Sequence, residues 1–149
     1  MARRAWTYWP AHISPVPLDV VWCAFPLEEK PGVKERPALV RSLQLYAQQT
    51  KLLVEVTYGS SKIKPNRREV DLIIANYEEM IAAGLPQATR FDLDRNITLP
   101  WCKEFFPCRE GDSTPIVGHL APRSVEQLER LKGIRARASA VARKEFKPG

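Results

Sequence analysis

The chain of 149 residues predicts a mainly β protein with one C-terminal helix, arranged as a small barrel. Three observations carry that expectation. Short apolar or alternating runs recur along most of the chain, separated by proline, glycine and charged loops, which is the pattern of brief strands joined by exposed turns. Only the last segment sustains a helical period over many residues. The strands also do not alternate with long helices, as a parallel α/β sheet requires.

Residues 1–16 carry Pro10 and Pro15 and no clean period, so they form a tail outside the barrel, which spans 17–123. Trp6, Tyr8 and Trp9 are costly to leave in water, and the tail is expected to lie across the barrel or a partner chain. Val20 to Phe25 is a first strand, β-branched and aromatic, closed by Pro17 and Pro26. Pro26 to Arg36 holds six charged residues around Pro31-Gly32 and reads as a solvated loop. The second strand, Ala38 to Leu43, follows an Arg36-Pro37 step. Proline confines the preceding residue to extended backbone, so Arg36 is expected at the strand mouth. A fixed guanidinium there suits phosphate recognition; a surface arginine paired with Glu28 or Glu29 is the competing reading.

Lys51 to Tyr58 alternates with period two and is a third strand. It ends at Gly59-Ser60-Ser61-Lys62, small residues beside an ammonium that suit either a phosphate cradle or a hairpin turn. Lys62 to Arg68 is an exposed basic loop and Val70 to Ala75 a fourth strand. Asn76 caps a short helix, Tyr77 to Ala83, with Glu78 and Glu79 in its first turn and Gly84 and Pro86 beyond its end. Arg90 to Leu93 and Ile97 to Trp101 read as two short strands joined by an Asp94-Arg95-Asn96 turn, and Pro115 to Leu120 as another. Ser124 opens an amphipathic helix, 124–149 with its tail, with Val125, Leu128, Leu131, Ile134, Ala138 and Val141 near one face and Gly133 weakening its middle.

The net charge of +6 favours an acidic partner, of which nucleic acid is the commonest. Much of the excess sits in the last helix, which also suits an acidic protein segment. Three cysteines, Cys23, Cys102 and Cys108, lack zinc spacing and are expected reduced, with no metal site and no cofactor. His12 and His119 are the only histidines. No apolar run approaches a membrane span, and Arg3 and Arg4 precede aromatics where a signal peptide needs an apolar core. A cytoplasmic protein without a membrane partner is expected.

Three blocks of this sequence resemble the MazF/PemK family of toxin-antitoxin growth inhibitors. Asp19-Val20-Val21-Trp22 opens the first strand, Arg36-Pro37-Ala38-Leu39-Val40 ends the charged loop, and Thr57 with Ser60-Ser61-Lys62 ends the third strand. Arg90-Phe91-Asp92 with Arg95 and Ile97 is similar to a later strand of PemK-type members. The chain departs from the family in having Leu18 where members have glycine, Glu35 where a basic residue or histidine is usual, and Tyr58-Gly59 splitting the hydroxyl motif.

The resemblance implies an SH3-like barrel with a C-terminal helix, a homodimer, and a metal-independent endoribonuclease restrained by an acidic antitoxin polypeptide. By the same resemblance Arg36 stabilises the phosphate of single-stranded RNA, Thr57 or Ser60 hydrogen-bonds it, and Asp92 takes a proton. Ser60, Ser61, Lys62, Arg90 and Arg95 would bind RNA. The rivals are an inactive barrel of the same fold that binds nucleic acid or protein, a gyrase inhibitor of the CcdB type, and an assembly adaptor using the N-terminal aromatics.

Overall fold

The computed structural model describes residues 5–26, 33–46, 51–67 and 69–145. Six antiparallel strands form a curled half-barrel with one long C-terminal helix. They are β1 (Asp19–Pro26), β2 (Val33–Tyr46), β3 (Lys51–Ser60), β4 (Leu72–Ile74), β5 (Thr89–Pro100) and β6 (Ile116–His119), with helices α1 (Tyr77–Ala82) and α2 (Pro122–Glu145). The strand order is β4-β5-β3-β2-β1-β6.

Both faces of this sheet are apolar, which explains why the strands read as continuous runs as often as alternating ones. Val20, Leu39, Leu72, Ile74 and Phe91 turn to one face, where Leu128 and Leu131 of α2 cover them. Val21, Ala38, Val40, Val54 and Val56 turn to the other, against Trp101 and Phe106. The tail completes that second layer. Trp9 packs into it and donates its indole N–H to the Phe106 carbonyl at 3.0 Å, while the Trp101 indole donates to the Ile13 carbonyl at 2.6 Å. Tyr8 makes a β-bridge to Cys102, and the Trp6 ring packs at a tilt on Phe105, centroids 4.9 Å apart. These aromatics are therefore engaged within their own chain.

Four expectations need correction. β2 begins at Val33, not after a loop ending at Arg36, because the β1–β2 ladder continues through Cys23↔Arg36 to Pro26↔Val33. Glu28 and Glu29 lie outside the described residues. Gly59 and Ser60 are not a hairpin turn but the end of β3, paired with Phe91 and Arg90; the missing Cβ of Gly59 makes room for Thr89, whose Cγ2 lies 2.7 Å from where that Cβ would stand. Residues 89–100 form one strand, not two, since β3 pairs with β5 on both sides of the expected turn. Finally α2 starts at Pro122. Proline suits the first helical position, and the buried Ser124 hydroxyl instead donates to Glu79 of α1 at 3.2 Å.

The cap of α1 follows the expected chemistry. The Asn76 side chain accepts the Glu78 N–H at 2.9 Å, and Gly84, at φ 68°, ends the helix. The turn after α1 packs so closely on β6 that a Cβ on Gly118 would stand 2.4 Å from the Ala82 carbonyl oxygen.

Gly118→Ala should therefore destabilise the protein by about 1–3 kcal/mol or more through overpacking. Gly133→Ala, in the middle of α2 with only the flexible Arg137 side chain within 4 Å, should stabilise it by about 0.5–1 kcal/mol. Urea unfolding of the two variants checks both signs.

Candidate functional site

Pro37 lies just beyond the last β2–β3 pair, Ala38↔Tyr58. Lacking an N–H, it cannot extend that ladder, so β2 departs from β3 while staying paired with β1. Arg36 stands on this departing segment, opposite Cys23. Side chains alternate along a strand, which puts Arg36, Ala38 and Val40 on one face, and Tyr58 with Val54 and Val56 on that same face of β3. The Arg36 guanidinium sits over the Tyr58 ring, 5.4 Å from its centroid, within cation–π range. Phe25 braces the ring edge-on at 5.3 Å.

Tyr58 occupies an irregular place in the sheet. Thr57 pairs with Asn96 and Gly59 with Phe91, so one residue of β3 faces the four residues Asp92 to Arg95 of β5. This is an enlarged bulge, which re-aims side chains. It brings Arg95 Nη1 within 2.6 Å of the Tyr58 hydroxyl, to which it donates. One tyrosine thus carries one guanidinium on its ring and another on its oxygen.

Beside this cluster lies an ionic network built around a buried carboxylate. Asp71 has no exposed surface and is held at 3.0 Å by both Arg67 and Arg90. Arg90 also donates to the Lys62 carbonyl at 3.0 Å. Arg67 reaches Asp92 at 3.3 Å and Asp94 at 3.8 Å, and its hydrogen bond to Asp71 pushes its pKa further up. Arg135 of α2 closes the chain of contacts, donating to Asp94 at 2.9 Å and to the Val70 carbonyl at 2.7 Å. Its hydrogen bond holds the Asp94 carboxyl below the usual aspartate range. Asp92 accepts two bonds, from Arg67 and from the Asp94 N–H at 3.1 Å.

The structure brings together Arg36 and Arg95 on Tyr58, and it sets Arg90 and Asp92 on the neighbouring stretch of β5. It does not bring Thr57 to them. Thr57 pairs with Leu39, so it turns to the α2 face, where it is fully buried and bonded to Asn96 and, at 3.1 Å, to Arg41. Burial and the nearby Arg135 push the Arg41 pKa down, while Glu55 opposes them. Ser60 is half-buried and its hydroxyl accepts the Lys62 N–H at 3.1 Å; Ser61 and Lys62 are exposed. Among the described residues no group of three or more His, Cys, Asp or Glu is arranged to hold a metal ion.

Sequence reading missed Tyr58, Asp71 and Arg67. Tyr58 was legible in part, as an aromatic continuing the alternation of Val54 and Val56. Asp71 sits between Val70 and Leu72 with Arg67 four positions before it, a spacing that permits pairing across one helical turn. The basic composition of 62–68 masked it. Neither the known protein families nor the curated proteins contain a match to this sequence.

Removing the buried charge by Asp71→Asn should cost about 3–5 kcal/mol, since two arginines lose their partner. Asp94→Asn, at an exposed carboxylate, should cost about 0–1 kcal/mol. The second cost should depend on pH. Because Arg135 lowers the Asp94 pKa in the folded state, its stabilisation is present above the unfolded aspartate pKa of about 3.9 and is lost as pH falls through the lower folded value. The stability difference between wild type and Asp94→Asn should therefore close on acidification below about pH 4, as read by urea unfolding at several pH values.

Proposed function

We propose that this chain is the toxin component of a type II toxin-antitoxin system and that it cleaves single-stranded RNA without a metal ion. The observation that carries this reading is Arg36, placed on the Tyr58 ring with a second guanidinium, Arg95, at the hydroxyl of the same residue. Guanidiniums on a rigid aromatic support are suited to a phosphodiester, because their planar donors match phosphate oxygens and their orientation is fixed before binding. The resemblance to the MazF/PemK family supplies the reaction class.

In that reaction the RNA 2′-oxygen attacks the adjacent phosphorus and the bond to the 5′-oxygen breaks. A base must take the 2′-hydroxyl proton, and a cation must stabilise the crowded phosphorane. Asp92 is the proposed base, and Arg36 the proposed cation. The products are a 2′,3′-cyclic phosphate and a free 5′-hydroxyl. Lys62 and the exposed Ser61 would guide the flanking strand, while Arg90, held by Asp71 and the Lys62 carbonyl, would fix the backbone that carries them. A homodimer belongs to the same proposal, and Leu43, Leu45 and Tyr46 of β2 and Ile134 and Val141 of α2 are exposed apolar groups available to it. So does an acidic antitoxin, as an initially disordered segment folding on the basic surface, and a cytoplasmic setting. No helix among the described residues is long and apolar enough to cross a membrane.

Two observations favour a second reading, a barrel that binds RNA or protein without cutting. Asp92 already accepts hydrogen bonds from Arg67 and the Asp94 N–H, and Thr57 faces away from Arg36. The two readings separate in one assay on long mixed-sequence RNA in EDTA. Wild type should cleave it to cyclic-phosphate ends, and Arg36→Ala should lose about 2–4 kcal/mol of transition-state stabilisation, the scale of one preorganised donor, with an unchanged unfolding curve. RNA binding with no cleavage by either protein would establish the second reading.

A further inference from the structure

The reaction needs an acid for the leaving 5′-oxygen, and the geometry points to Tyr58 as that catalytic residue. This rests on the cleavage proposed above and adds the group which that scheme leaves without a donor. Three features of Tyr58 fit the task. Its ring is fixed edge-on against Phe25, so the hydroxyl is held in one place. Its oxygen accepts a hydrogen bond from Arg95 Nη1 at 2.6 Å, which leaves its own proton free to donate and sets a cation against the phenolate that donation creates. Its ring face carries Arg36, the group proposed to hold the phosphate, so the scissile bond and the phenol share one locus.

Across the sheet, the β5 bulge places Asp92 among the four residues facing Tyr58. Base and acid therefore come from opposing strands. In the forward step the Asp92 carboxylate takes the 2′-hydroxyl proton as the bond from the 2′-oxygen to phosphorus forms. The Tyr58 O–H bond breaks, its proton goes to the 5′-oxygen, and the bond from phosphorus to that oxygen breaks with its electron pair leaving on the oxygen. Protonated Asp92 and the Tyr58 phenolate then return to their starting states by proton exchange through water. No other reactant is needed.

A purely structural tyrosine, packed on Phe25 and bonded to Arg95, would make the same contacts, so the test must read proton donation itself. Tyr58→Phe keeps the ring and removes only the hydroxyl. Two RNAs of one sequence are compared, one natural and one with sulfur replacing the scissile 5′-oxygen. A thiolate leaves without a proton, since thiols ionise near pH 8.5.

Wild type should cleave both substrates. Tyr58→Phe should be slower by about 10²- to 10⁴-fold on the natural RNA, the usual contribution of general acid catalysis, and should match wild type on the sulfur substrate. Equal slowing on both substrates would overturn the inference and leave Tyr58 a support for Arg36. Wild-type rates from Tyr58→Phe on both would overturn it as well. If wild type cleaves neither RNA, the cleavage reading falls and the acid role falls with it, whereas the two preceding results remove the acid role alone.

Discussion

One residue of β3 faces four of β5, and much of the site depends on how the protein accommodates that mismatch. The surplus backbone has to leave the ladder, and with it leave Asp92, Asp94 and Arg95. Two carboxylates extruded side by side repel unless cations lie between them. Arg67 supplies one cation, touching Asp71, Asp92 and Asp94 together, and Arg135 of α2 supplies another. Arg67 is itself oriented by Asp71, whose burial makes its pairing with both arginines obligatory. The bulge, the 3-10 turn at Pro65–Arg67, β4 and the terminal helix are thus joined by charge as well as by apolar packing.

The same network sorts the arginines by role. Asp71 engages both Arg90 and Arg67, and Asp94 holds Arg135. Arg36 has no carboxylate within 4 Å among the described residues and rests on an aromatic ring. A guanidinium so placed keeps its in-plane donors for an incoming anion while the ring restrains its motion. With a net charge of +6 over the chain, long-range attraction of an anion needs no special patch; what this cluster adds is orientation.

The strands of the fold were legible wherever the apolar period was strong. β1, the start of β3, β6, α1 and its Asn76 cap stand where the residues indicate, because burial on one or both faces determines them. The errors fall where a local signal competes with pairing at a distance. Asp94-Arg95-Asn96 has the composition of a turn, yet β3 pairs on either side of it and keeps it within β5. Ser124 has the chemistry of a cap, but Pro122 starts the helix and the serine ties α2 to Glu79. For the site, Arg36 was visible through its proline and Arg95 through its neighbours. Tyr58 and Asp71 were not, since their importance lies in register and burial, which no short motif records. Thr57 was assigned by its place in a motif, and the alternation of β3 turns it to the other face.

The Arg36–Tyr58–Arg95 cluster is the proposed seat of an RNA phosphate. The most direct measurement follows the arginine guanidinium and tyrosine ring signals by NMR while a 2′-deoxy oligonucleotide, which lacks the attacking hydroxyl, is added. Saturable shifts are expected at Arg36, Arg95 and the Tyr58 ring, with Arg109, over Trp22 on the opposite face of the sheet from Arg36, unmoved. Shifts confined to the α2 arginines Arg130, Arg137 and Arg143, with the Arg36 and Tyr58 signals unchanged at saturation, would contradict it.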